Sequence, residues 1–247
     1  MARADFNRVA AVYDAGRELS PESMEGWRRV IARHLPGPGA LPAVDVGCGT
    51  GRFTSALAAW FDTEMVGVDA AEEMLRVARD SGSDNRVGYL LGRAEALPLR
   101  DSVCDFAWLS TVIHHFELAA VVRELRRVLR PDGTVLVRSW FPGRAGVTHF
   151  RYFPRAKEIA ETFPTLEATE REFASAGFKR QALESVEQVS APSLRQFYER
   201  VRTRADTTLL ALNDDEFAEG LRLLEADVAA EAEPQPVISH LDLMVFR

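Results

Sequence analysis

Hydrophobic residues along this chain follow two rhythms that take turns. Short β-type runs recur at 43–46, 65–69, 86–91, 105–110 and 134–139, and stretches with apolar residues every three or four positions lie among them, at 52–61, 71–80 and 118–130. The last of these shows the helical period plainly: Leu118, Val121, Val122, Leu125, Val128 and Leu129 share one face, with Arg123, Arg126, Arg127 and Arg130 opposite. That arginine row reads as a solvated helix face rather than a nucleic-acid contact. Strands separated by helices predict right-handed βαβ crossovers, hence a mostly parallel sheet with helices on both faces. Ahead of them lie two helical patterns, 5–13 and 21–34, the second with Ser20 as N-cap before Pro21 and a breaker run, LPGPGALP, behind it. After 139 come an aromatic-rich stretch, a helical pattern at 166–176, a β-run at 178–189, a helical segment over about 193–232, and a last β-run at 237–246. The segment between the two final β-runs is too long for a simple connection and predicts a helical cover over one sheet edge.

Composition sets limits on this picture. With 47% apolar and 27% charged residues in a chain of 247, it is ordinary globular material with enough length to bury one core. Its longest apolar runs fall far short of the ~20 residues of a membrane helix, and the opening MARADFNRV lacks a signal peptide's apolar region, so a cytoplasmic protein without membrane contact is expected. Cys48 and Cys104 stand far apart with no CxxC or Cys/His cluster, which argues against a metal site and a disulfide framework alike. The net charge of −7 is concentrated, because between Asp206 and Glu233 nine acids face one base, Arg222. Leu209, Leu212, Phe217, Leu221, Leu224 and Val228 are interleaved with them, so the segment reads as amphipathic and its acids as the wet face. From Arg138 to Lys157 the balance reverses: Arg138, Arg144, Arg151, Arg155 and Lys157 accompany Trp140, Phe141, Phe150, Tyr152 and Phe153, with no acid.

The sharpest chemical signal is Val44-Asp45-Val46-Gly47-Cys48-Gly49-Thr50-Gly51, an apolar strand running into glycines that open a helix. Glycines let the backbone turn tightly and approach a ligand with no Cβ in the way. The spacing is GxGxG, position 52 is Arg, and Asp45 precedes the first glycine by two. A dinucleotide site brings a diphosphate to this helix N-terminus, where a neighbouring carboxylate would repel it; an acid here suits a ligand with an ammonium group. Asp69 ends the next strand at the spacing from which a carboxylate accepts hydrogen bonds from a ribose hydroxyl pair. The ligand so described has an adenosine-like ribose, a cationic amine and no diphosphate.

These residues, with VGVDAAEEML, GRAEALPL, FAWLSTVIHHFE and VLRPDGTVLV, resemble the class I methyltransferases dependent on S-adenosylmethionine, specifically the small-molecule group that includes ubiquinone/menaquinone-biosynthesis-like enzymes. The resemblance covers roughly residues 5–140. It implies an α/β fold with a Rossmann-like seven-stranded, mostly parallel sheet, the last strand antiparallel, helices on both faces and a helical cover. It also implies a single domain: an N-terminal helical segment at 1–40, a cofactor-binding core at 41–140, a substrate-side segment at 141–177, and the last two strands with their insertion at 178–247. Carried over residue by residue, Gly47, Gly49, Gly51 and Asp45 would hold the methionyl part of S-adenosylmethionine and Asp69 its ribose. Ala70 and Met74 would surround the adenine, Arg93, Ala94 and Glu95 would meet its edge, and Ser110 would lie under the sulfonium. Tyr13 and Arg17 would reach the cofactor's carboxylate. Many members carry an acid where this chain has Arg93, so Glu95 or main chain must take the adenine amine.

Methyl transfer needs placement of two reactants above all, an effect that supplies ~7–11 kcal/mol. Where the acceptor must lose a proton, His is the usual base near neutral pH, and His114 and His115 follow the fourth strand. They stand as candidate bases, with simple packing of the loop as the other reading. The basic aromatic stretch after the fifth strand is the expected wall of a pocket for a small acceptor, an anionic or aromatic metabolite, with Arg151 and Arg155 as its test positions. Nucleic acid is disfavoured by the acidic balance and by Leu109-Ser110-Thr111 at the end of the fourth strand. Two other functions fit less well: a non-methylating protein that uses the same cofactor in a rearrangement or cyclisation, and a nicotinamide-dependent dehydrogenase, which Arg52 and Asp45 oppose.

Overall fold

The computed structural model describes residues 10–17, 19–35, 42–82, 84–144 and 146–247. Strands β1 (Ala43–Val46), β2 (Met65–Asp69), β3 (Val87–Leu91), β4 (Cys104–Ser110), β5 (Leu129–Ser139), β6 (Arg180–Ala191) and β7 (Val237–Phe246) form one sheet in the order β3-β2-β1-β4-β5-β7-β6. All neighbours pair in parallel except those of β7, which runs antiparallel between β5 and β6. The expected seven-stranded sheet with a reversed last strand is therefore present. The helices are α1 (Ala10–Arg17), α2 (Pro21–Ala32), α3 (Arg52–Phe61), α4 (Glu72–Asp80), α5 (Leu118–Val128), α6 (Pro154–Ala160), α7 (Leu166–Ser175), α8 (Leu194–Val201), α9 (Thr207–Leu210) and α10 (Asp214–Ala230).

Strand alternation sorts the core into two layers. Val44, Val46, Ala107 and Leu109 pack with Val121 and Leu125 of α5 and Phe173 of α7 on one face. Ala43, Phe106 and Trp108 pack with Trp27 and Ile31 of α2 and Leu57 of α3 on the other. Each of the larger aliphatic and phenylalanine side chains contributes ~1.5–3 kcal/mol by burial. The start of α2 is the expected one, with Ser20 Oγ accepting the Ser23 N–H behind Pro21. A third cluster, including Tyr152, Phe153, Phe197, Leu209, Leu224 and Val228, joins α6, α8, α9 and α10 into the cover.

Local differences from the pattern have physical reasons. The first helical pattern was expected at 5–13; residues 1–9 lie outside the described residues, and the helix continues to Arg17, where α1 meets the cover. The expected helical segment at 193–232 is built of three helices, because Asp206 and Asn213 each cap a new start: Asp206 accepts the Thr208 N–H, and Asn213 exchanges bonds with Glu216 in a capping box. Among the described residues, no helix is long and apolar enough to cross a membrane, and no cluster of His, Cys, Asp or Glu is arranged to hold a metal ion.

Candidate active site

The parallel neighbours β1 and β4 send their chains in opposite directions, β1 toward β2 and β4 toward β5, so a crevice opens outside their carboxyl ends. The loop after β1 enters it through Gly47 at φ +72°. A side chain there would be strained, and its Cβ would lie 2.9 Å from Val112 Cγ1, so glycine lets this loop approach the segment after β4. Asp69, at the end of β2, fixes the loop: Oδ2 accepts the Gly49 N–H and Oδ1 the Ala71 N–H, both at 2.8 Å. Each carboxylate oxygen keeps a further acceptor site, and burial pushes the carboxyl above its ordinary range.

These residues line a cavity of about 290 Å³. Tyr13 and Arg17 reach it from α1; Gly47, Gly49, Asp69, Ala70, Met74, Arg93, Ala94 and Glu95 surround it; Thr111, His115, Phe116 and Thr207 close it. Arg93 pairs with Glu95 at 3.1 Å, so the position where the family often has an acid here carries a guanidinium tied to an acid two residues on.

A second cavity of about 160 Å³ adjoins the first. Trp140, His149, Phe150, Phe163 and Phe197 give it aromatic walls, and Arg138, Gln188 and Ser239 are among its polar lining. Arg17, Thr111 and Thr207 line both cavities and form the boundary between them. Thr111 sits there at φ +55°, a conformation that costs a β-branched residue ~1–3 kcal/mol. Its N–H donates to the Arg138 carbonyl and its Oγ1 to the Ser110 carbonyl, each at 2.7 Å, which holds the strained turn in place.

The two histidines divide between the cavities. His115 lines the first and its Nε2 lies 3.1 Å from Thr207 Oγ1. His114 lines the second, stacks on Phe163 with centroids 4.1 Å apart, and leaves Nε2 buried without a hydrogen-bond partner among the described residues. Burial first, then the charges of His115 and Arg17, hold the His114 imidazole well below its ordinary range, so it is neutral at pH 7.

Charge in the second cavity is one-sided. Arg17 Nη1 meets Asp206 Oδ2 at 2.5 Å, with about a fifth of each side chain exposed. Burial alone would raise the Asp206 carboxyl; Arg17, His149 and the Thr208 donors outweigh it and hold it well below the usual carboxylate range. Arg52 donates to the Arg17 carbonyl. Arg138, only 4% exposed, donates to Ser110 Oγ at 3.0 Å and Gln188 Oε1 at 2.7 Å, and its guanidinium carbon lies 4.7 Å from the Trp27 ring and 5.1 Å from the Phe53 ring.

Three expected cofactor residues stand apart from the cavity wall. Asp45 is buried beneath the loop, where it accepts the Thr54 hydroxyl at 2.7 Å and is pushed up to about 7, by burial first and the nearby Asp69 second. Gly51 makes the N-terminal turn of α3 instead of facing the crevice. Ser110 is occupied by Arg138, and Thr111 takes its place at the wall. The basic stretch is also divided differently: Arg151 pairs with Asp227 and Arg155 with Glu158 on the exposed surface, while Arg138 lines the cavity. Asp206 belongs to the site rather than to the wet face of the cover.

S-adenosylmethionine fits these residues. A carboxylate with spare acceptor sites suits a hydroxyl pair, the missing Cβ at Gly47 leaves a cradle, and Arg17 offers a cation. Residues 44–137 match the family described as methyltransferase domain. Malonyl-[acyl-carrier protein] O-methyltransferase of Methylococcus capsulatus is 34% identical over 187 residues, covering 73% of this chain and 66% of that protein. Demethylmenaquinone methyltransferase of Roseiflexus castenholzii is 33% identical over 133 residues, covering 53% of this chain and 56% of that one. The chain thus spans roughly half to two thirds of the length of these relatives. Among solved structures, a putative methyltransferase from an antibiotic biosynthesis pathway of Anabaena variabilis superposes with a TM-score of 0.74 at 23% identity, over 90% of this chain and 96% of that one, a likeness of fold.

Proposed function

This chain belongs to the class I S-adenosylmethionine-dependent methyltransferases, and we propose that it methylates a small-molecule acceptor, an anionic or aromatic metabolite, lodged in the aromatic cavity of a cytoplasmic enzyme. The observation that carries this reading is the shared boundary at Arg17, Thr111 and Thr207, which sets a cofactor-sized space directly against a small aromatic one. When bound, S-adenosylmethionine supplies a methyl group on a positively charged sulfur. Asp69 and the glycine loop orient it from one side, and the aromatic walls exclude water and aim the acceptor from the other. Thr111, fixed by two hydrogen bonds, keeps the boundary from collapsing.

His114 is the better placed of the two histidines to take a proton. It lines the acceptor side and its Nε2 has no partner among the described residues, which is what favours it; the burial that keeps it neutral also weakens it as a base. With the cofactor bound, the carbon–sulfur bond would break as the acceptor's bond to the methyl carbon forms, S-adenosylhomocysteine would leave, and His114 Nε2 would take the acceptor's proton. His115, held on Thr207, positions the loop. The test is incubation with isotope-labelled S-adenosylmethionine and a metabolite extract of the native host, read by mass spectrometry. Labelled product together with S-adenosylhomocysteine supports methyl transfer, and a changed metabolite without S-adenosylhomocysteine replaces it by a non-methylating reaction. His114→Asn should reduce turnover at least ~30-fold, within the range of a general base. A loss below tenfold for both His114→Asn and His115→Asn removes the base.

A further inference from the structure

Arg138 is a buried cation that no described carboxylate neutralises. It lies near the end of β5, the strand beside β4, and its side chain reaches Ser110 on β4 and Gln188 on β6. Both of those partners are neutral, and its Nε is buried with no hydrogen-bond partner among the described residues. Gln188 cannot turn away to serve another group, because its Oε1 also accepts the Trp27 Nε1–H at 3.1 Å. Arg17 and Arg52 line the same cavity, and Asp206, bonded to Arg17, is its carboxylate. Their charges and burial both disfavour the Arg138 cation, yet a guanidinium keeps its proton in proteins. The described lining therefore carries more positive than negative charge in a space with largely aromatic walls, an arrangement completed by an anion arriving from outside.

We infer that the acceptor carries a carboxylate that docks on Arg138, and that this carboxylate is not the group methylated. The inference rests on the methyl-transfer reading above and adds the substrate class and its orientation. A planar guanidinium with an unfilled Nε–H donor matches a carboxylate in shape and charge, and Trp140 and Phe150, which line the same cavity, suit an apolar or aromatic body attached to it. Orientation follows from the walls. Arg138 and Gln188 line only the second cavity, whereas transfer takes place at the boundary formed by Arg17, Thr111 and Thr207. A carboxylate held on Arg138 would be bound by a group outside that boundary, and we place the nucleophile at the acceptor's other end. The product keeps its negative charge. Arg138 is an anion-binding and specificity-determining residue, not a catalytic one.

The experiment uses the intact protein with isotope-labelled S-adenosylmethionine and a host metabolite extract, the labelled products being separated on an anion exchanger at pH 8. The expected label is in a retained, anionic product. Arg138→Gln should lower the labelling rate at least tenfold at dilute extract, with affinity for S-adenosylhomocysteine within twofold of the parent, and Arg138→Lys should recover part of the loss. A labelled product that passes the exchanger as a neutral species overturns the inference while leaving methyl transfer standing. So does Arg138→Gln with parental rates. A parent protein that binds S-adenosylhomocysteine and labels nothing overturns both readings. The charge of the product is read on the unmodified protein, so the test does not depend on the variants folding.

Discussion

Replacing Asp206 by Asn isolates the ion pair that joins α1 to the cover. Asn caps a helix start as well as Asp does, so the α9 turn is retained and the change is mainly one of charge. Losing one partner of a buried pair costs ~3–5 kcal/mol, because the survivor keeps its desolvation without its counterion. Here about a fifth of each side chain reaches water, which lets the freed Arg17 recover some hydration, and Arg52 and Arg138 nearby add repulsion. The balance is a loss of about 2–3 kcal/mol, which at a urea slope of ~3 kcal/mol per molar is a midpoint lower by ~1 M. The pH dependence has a defined sign. The folded Asp206 carboxyl titrates below its unfolded value of ~3.9, so its contribution is full above that pH and is lost as pH falls through the folded value. The gap between parent and variant should therefore be constant from pH 5 to 8 and narrow below ~4. Urea melts read by tryptophan fluorescence at pH 7 and pH 3.5 decide it. A variant within 0.5 kcal/mol of the parent at pH 7, or a gap that widens on acidification, refutes the reasoning.

Gly47→Ala forces a side chain into left-handed backbone against Val112, and the strain of ~1–2 kcal/mol plus the clash should weaken S-adenosylhomocysteine binding at least ~10-fold by calorimetric titration. Asp45 titrates in the opposite sense to Asp206: its folded value of about 7 exceeds the unfolded one of ~3.9, so the stability it lends is full below pH 4 and is lost as pH rises through 7. Asp45→Asn should accordingly gain on the parent by about 1–3 kcal/mol between pH 4 and pH 8, and a difference independent of pH contradicts this. Charge reversal at Arg151 and Arg155 together should leave acceptor kinetics within twofold, since both side chains pair with acids on the outer surface.

The strands were readable because a parallel sheet buried on both faces leaves unbroken apolar runs. The run at 43–46 became β1 and that at 65–69 became β2 without a shift. The glycine loop and Asp69 were legible for a similar reason, since their chemistry is local and falls within a few residues of a strand end. What sequence could not show depends on distance or on strain. Asp206 lies 189 positions from Arg17, and counting charge by segment places it with eight other acids on a wet surface. Nothing in the sequence marks Thr111, because a β-branched residue argues against the backbone it adopts. Arg138 looked like Arg151 and Arg155, all members of one basic stretch. Only the strand's alternation, which turns Arg138 toward Trp27 and Phe53, separates it from them.

The short helix α1 is fastened at both ends of the site's work. Asp14 accepts the Thr50 hydroxyl of the glycine loop, Arg52 donates to the Arg17 carbonyl, and Arg17 grips Asp206 of the cover. A movement of α1 that admits one ligand therefore breaks bonds that shield the other. Arg17 lines both cavities, so cutting one of these bonds loosens a wall that the two spaces share. Dissociation of S-adenosylhomocysteine and of the methylated product should both speed up when the Arg17–Asp206 clasp is cut.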